Sequence, residues 1–145
     1  MRIYLPATLD ELDAPLRARR AHAVTAALRA ELPDEDEEGL EYAAQLAAAS
    51  DSLARIAATA DAPRLRLVVS ADVADASVSV VGPDDPSAVE VGVVAHDAIV
   101  CVHVDEPEAR SDVERALAGD AEALERLEEA DLLWYDVTEL GAIPR

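Results

Sequence analysis

Lysine and phenylalanine are absent from this chain, cysteine occurs once, and aromatic residues make up only 3% of its 145 positions. The lone Cys101 excludes an intrachain disulfide and a zinc site built on paired cysteines. Five scattered glycines leave no phosphate-cradling loop and no nucleophile elbow, so no cofactor is expected. No apolar stretch approaches the roughly 20 residues of a membrane-spanning helix. The N-terminus lacks the basic-then-apolar layout of a secretory signal, which makes a cytoplasmic protein the expectation. Much of the 51% apolar content is alanine, so the core has to rest on leucine, isoleucine and valine.

Positive charge is the other scarcity. Twelve arginines face 31 aspartates and glutamates, for a formal net charge of −19. Repulsion between such a surface and phosphates argues against nucleic acid and against anionic membranes as partners. A basic protein or a metal cation would be attracted instead. A solvated acidic surface that maintains solubility explains the same composition, and mimicry of nucleic acid has only the sign of the charge in its favour.

The patterns that are present describe one α+β domain over residues 1–145, with a single mainly antiparallel sheet and helices on at least one face. A ferredoxin-like core with additions is compatible. Arg2-Ile3-Tyr4-Leu5 reads as a first strand stopped by Pro6, and Thr8 with Glu11 as a capping box. The run Asp34-Glu35-Asp36-Glu37-Glu38 reads as a helix start, with Asp34 as cap. The helix it opens extends to about Ala60. Tyr42, Leu46, Ala49, Leu53 and Ile56 recur at three- and four-residue steps and predict its buried face, with a break possible at Ser50-Asp51-Ser52. The period then falls to two through Leu65, Leu67 and Val69. Further strands are expected at 77–81 and 89–93, separated by the turn cluster at 82–87. Ile99 to Val104 is a nearly unbroken apolar run, the pattern of a strand covered on both faces, and is the expected centre of the sheet. Pro107 opens a helix, Gly119 stops it, Asp120 caps another, and Leu132 to Val137 is the last strand. The return through these helices could place that strand parallel to the Ile99 strand, adjacent or one apart. Oligomeric state is open, since an edge strand such as 77–81 could pair between chains.

The chemistry-bearing residues gather at the end of the Ile99 run. His103 and Asp105 lie two apart, sharing a strand face with Cys101. With Glu106, and with Asp136 from the last strand, they could ligate a divalent metal or form an acid/base pair. Trp134 and Tyr135, beside Asp136, could wall a pocket. Each has a plainer role: a buried histidine with one hydrogen bond, a capping Glu106, one aromatic in the core and one over the sheet. Cys101 in apolar surroundings behaves as a small hydrophobe.

Arg2-Ile3-Tyr4-Leu5-Pro6-Ala7-Thr8, His22-Ala23-Val24-Thr25, Asp34 to Glu38, Glu41-Tyr42-Ala43-Ala44, His103-Val104-Asp105-Glu106 and Leu132 to Asp136 together form a recognisable pattern. It resembles a family of small uncharacterised actinobacterial proteins, a domain of unknown function, from residue 1 to about 140. The resemblance implies a free-standing cytoplasmic domain and brings no site residue with it. Two expectations follow. The first is a non-enzymatic interaction or regulatory protein whose acidic surface meets a basic protein partner. The alternative is a small metal-binding protein or enzyme centred on His103, Asp105 and Glu106, near Trp134, Tyr135 and Asp136.

Overall fold

A computed structural model describes residues 1–145. Seven strands are formed: β1 (Arg2–Ala7), β2 (Arg19–His22), β3 (Leu67–Asp72), β4 (Val78–Val80), β5 (Ala88–Val91), β6 (Ile99–Val104) and β7 (Leu133–Asp136). They make one sheet in the order β4-β5-β2-β1-β3-β6-β7, and every neighbouring pair is antiparallel. Four α-helices accompany it: α1 (Ala26–Glu31), α2 (Glu37–Ala58), α3 (Arg110–Leu117) and α4 (Ala121–Glu129). The α+β class and the antiparallel sheet are as the sequence leads one to expect. The parallel pair of a ferredoxin-like core is missing, because β7 returns beside β6 antiparallel rather than parallel. The reason lies between them. Two helices turned back on each other at Gly119, whose φ is +96°, return the chain to the end of β6 that it left.

The centre of the sheet is β1, not the Ile99 run, which lies next to the edge. The run misleads because it contains a bulge. Ala71 pairs with Ile99 and Ser70 with Cys101, so Val100 is an extra residue outside the alternation. Beyond it, Val102 and Val104 face one side of the sheet, while Cys101 and His103 face the other. Pro6 does not stop β1. Its carbonyl accepts from the buried Arg19 guanidinium on the β2 side, where the only paired residues are Tyr4 and His22. The missing N–H of Pro6 points the same way, into a gap where no ladder bond is needed.

One face of the sheet carries a core of 20 buried residues, among them Ile3, Leu5, Leu67, Val69, Val102 and Val104. It is closed by short 3-10 turns and bridges: Leu9 and Leu12, the Leu16–Val94 pair, and Leu140 with Ile143. The other face is covered by α2, starting at an Asp36 cap two residues beyond the expected one. Here the structure overturns an expectation. Ala49 and Ile56 of the expected face are buried, but Tyr42 is 51% and Leu46 41% exposed, and the row that meets the sheet is instead Leu40, Ala44, Ala48 and Ser52, mostly small side chains. No break occurs at Ser52. Its hydroxyl donates to the Ala7 carbonyl at 2.8 Å and accepts the Leu67 amide at 2.9 Å, tying α2 to β1 and β3. The α3–α4 hairpin packs on the far end of α2, through Ile56, Val113 and Leu127.

A second tie joins α2 to the opposite layer. Thr8 and Glu11 form the expected capping box, with Glu11 accepting the Thr8 amide at 3.0 Å, and the Thr8 hydroxyl donates to Asp10 at 2.6 Å and to Glu11 at 3.2 Å. The Glu11 carboxylate also takes the buried Arg19 at 2.6 Å and Arg55 of α2 at 3.0 Å. Burial alone would raise its pKa, but the hydrogen bonds from Arg19 and Arg55, with the charge of Arg19, hold it at about 2 against an ordinary 4.5. A depressed carboxylate contributes stability that is complete above the unfolded pKa and is lost as pH falls toward the folded one. The gap corresponds to about 3 kcal/mol, lost between about pH 5 and pH 2. Urea midpoints measured across that interval should fall steeply, and Glu11→Gln, less stable at neutral pH, should show a flatter fall.

Candidate functional site

The β6–β7 ladder sorts the residues singled out at these strand ends. Register places His103 opposite Trp134, Cys101 opposite Asp136 and Val102 opposite Tyr135. His103 and Trp134 are therefore cross-strand neighbours on the helix side, while Tyr135 packs into the core of the other face. Asp136 is taken up at the C-terminal 3-10 turn. It accepts the Thr138 hydroxyl at 2.6 Å and the Thr138 amide at 3.0 Å, and these bonds lower its pKa. Glu106 is exposed and makes no capping bond with its side chain.

Asp105 is buried, and its partner is Arg66, not His103. Its two oxygens accept from Arg66 Nη2 at 2.7 Å, from Nε at 3.0 Å and from the Arg66 backbone amide at 2.8 Å. Asp105 is thus committed, and His103 has no carboxylate to orient it. His103 itself is half-buried, burial lowers its pKa, and its Nδ1 is sealed from solvent without a hydrogen-bond partner. An imidazole so placed is neutral at neutral pH. No three His, Cys, Asp or Glu side chains converge to hold a metal ion.

What His103 does face is a groove. A cavity of about 230 Å³ is lined by His103 and Arg66, by Tyr42 and Leu46 of α2, and by Asp131 and Leu132 ahead of β7. It continues into one of about 380 Å³ between α2 and α4, where Leu53, Leu124 and Glu128 join Leu46, Ala49 and Arg66. Tyr42, Leu46, Leu124 and Trp134 are four of the nine large apolar side chains that the protein exposes, and all four stand on or beside this groove. Arg66 supplies the polar floor. Its Nε and Nη2 are held by Asp105, and Nη1 has no partner within the chain. Arg66 was legible only as one polar residue of an alternating strand, and the groove wall only as a stripe assigned to the core.

A second constellation invites a catalytic reading. His22 contacts Ser87 Oγ through Nδ1 and Asp51 through Nε2, each at 2.7 Å. In a hydrolytic triad the serine must meet substrate and the aspartate lies behind the histidine. Here the order is reversed: Ser87 is 4% exposed, whereas the Asp51 side chain is 40% exposed. The three residues tie β2, α2 and the turn before β5 together, and they present no nucleophile.

Over residues 1–143 the chain matches a family model described as "Family of unknown function (DUF6912)". The chain belongs to this family. No curated protein and no solved structure shows significant similarity to it. No helix of this DUF6912 member is long and apolar enough to cross a membrane.

The site chemistry of this family member can be tested at Asp105. Asp105→Asn would leave the Arg66 charge buried without its counter-ion, at a cost of about 3–5 kcal/mol read as a lowered urea midpoint. Replacing both partners, Arg66→Met with Asp105→Leu, should recover most of that loss. Zinc, manganese and magnesium should leave the melting temperature of the unmodified protein unchanged. A metal-dependent rise that disappears in His103→Ala would reinstate the metal reading.

Proposed function

We propose that this chain is a cytoplasmic, non-enzymatic interaction protein that engages a basic protein partner through an acidic surface with an apolar groove. The observation that carries this reading is the open stripe of α2. A helix normally hides its largest apolar side chains, and here Tyr42 and Leu46 are left out while alanines and a serine face the sheet. The groove beside them is edged by Glu128 and Asp131, within a chain of net charge −19. Such a surface repels phosphate backbones and anionic lipids and attracts cationic protein surfaces.

A photoreactive residue introduced at position 46 tests this directly. Irradiation in extracts of the source cells should label a recurring protein of net positive charge, and labelling should decline as ionic strength rises. The same residue at position 80, on the far edge of the sheet, should not label it. Labelling no stronger than from position 80, or a recurring partner without net positive charge, would reject the reading.

A further inference from the structure

Resting on that reading, we infer that the groove between α2 and α4 receives an amphipathic α-helix of the partner, with apolar anchors at helical spacing and basic residues flanking them. The spacing of the residues that line the groove supports a helix over an extended strand. Tyr42 and Leu46, exposed, and then the buried Ala49 and the partly covered Leu53 line it at steps of four, three and four, the seam by which one helix packs along another. At a rise of about 1.5 Å per residue the stripe runs for about 16 Å, or three helical turns. An edge for strand addition would need unpaired backbone groups, and α2 has none to offer along this face.

Two cavities rather than one suit discrete anchors. The larger lies between Leu46, Leu53 and Leu124, and the smaller between Tyr42, Leu132 and His103, with Leu46, Ala49 and Arg66 shared between them. Successive apolar side chains of a docked helix would enter one and then the other. At the shared floor, Arg66 Nη1 has no hydrogen-bond partner within the chain, so polar capacity remains there for the occupant to meet.

Charge selects the occupant. A second copy of this chain would bring another net −19 against the same face. α4 carries Glu122, Glu125, Glu128 and Glu129, and its one cation, Arg126, is already held by Asp112 at 2.7 Å. The first turn of α2 adds Glu38, whereas Glu37 is held by Arg29 at 2.7 Å. Lysines and arginines on either side of the partner's apolar stripe complement both walls, and a second acidic chain does not.

Three synthetic peptides of about 18 residues provide the probe, a length that exceeds the stripe by roughly two turns. One carries leucines at heptad spacing with lysine and arginine elsewhere. The second has the same composition in an order that destroys the spacing, and the third replaces the basic residues with glutamate. Binding is followed by the fluorescence of Trp134, the single tryptophan, which stands beside His103 at the groove. The first peptide should bind at least about tenfold more tightly than the second, and the third should not bind. Leu46→Asp and Leu124→Asp, both at exposed positions and checked for fold by circular dichroism, should weaken the first peptide by about tenfold or more. Val80→Asp and Val93→Asp, which add the same charge elsewhere, should not. Equal binding of the ordered and disordered basic peptides, or loss of binding in the Val80 and Val93 variants instead, would overturn the helix-in-groove inference and leave an acidic interaction surface standing. Failure of every basic peptide to bind, even at low ionic strength, would overturn both.

Discussion

The buried pair of Arg66 and Asp105 fixes the end of the sheet on which the groove is built. Their side chains are 6% and 1% exposed, at the position that continues the β3–β6 ladder beyond Leu67 and Val104. The Asp105 amide donates to the Arg66 carbonyl, and the Arg66 amide donates to the Asp105 carboxylate, so backbone and side chains are locked together. Such a pair is a weak source of net stability, since both charges lose their water, yet removing either member leaves the other stranded. Its consequence is positional. The strands cannot slip without burying a lone charge, and the guanidinium stays aimed at the space beneath α2. The same commitment takes Asp105 away from His103 and dissolves the acid/base pair that their spacing suggests.

Above that floor, α2 solves a packing problem at one face and leaves another open. Ala44, Ala48 and Ser52 let the helix axis approach the sheet closely enough for the Ser52 hydroxyl to bridge β1 and β3. Larger residues there would lift the helix and break both bonds. The bulk is carried one face round, at Tyr42 and Leu46, and the α3–α4 hairpin covers only the end near Leu53 and Ile56. Leaving Tyr42 and Leu46 about half exposed forgoes roughly half of the 1.5–3 kcal/mol that full burial of each would contribute. Folding alone gives no reason to place them there.

Local grammar was legible in the sequence, and long-range partnership was not. The turn cluster at 82–87, Pro107 at a helix start, Asp120 as a cap and Gly119 as a stop all act as their residue types dictate. Each of these signals is complete within a few residues. The Ile99 run failed as a guide to the centre of the sheet because apolar continuity records a bulge and two-sided burial alike. The α2 stripe held at Ala49 and Ile56 and failed at Tyr42 and Leu46 for a related reason: periodicity gives the direction of the apolar face and not what stands opposite. Arg66 was unreadable as a functional neighbour because its partner is 39 residues away, and nothing local distinguishes it from Arg64. Among the site candidates, His103 and Trp134 are brought together by register, Tyr135 is sent to the other face, Asp136 and Asp105 are occupied, and Glu106 stays exposed without a side-chain partner.

The distribution of arginine gives the acidic surface its meaning. Eight of the 12 arginines are engaged by carboxylates, from the buried Arg19 and Arg66 to the exposed Arg2, Arg29 and Arg126. Exposed pairs of this kind add about 0–1 kcal/mol each, so their main effect is to use up positive charge locally. What remains at the surface is a one-signed excess that acts at a distance, over roughly a Debye length of about 8 Å at physiological ionic strength. Such a field raises encounter rates with any cation and distinguishes poorly among them. Selectivity has to come from short-range shape, which on this molecule means the apolar groove between α2 and α4. The acidic field and the open stripe are therefore complementary parts of one proposed device, the first gathering basic partners and the second choosing among them.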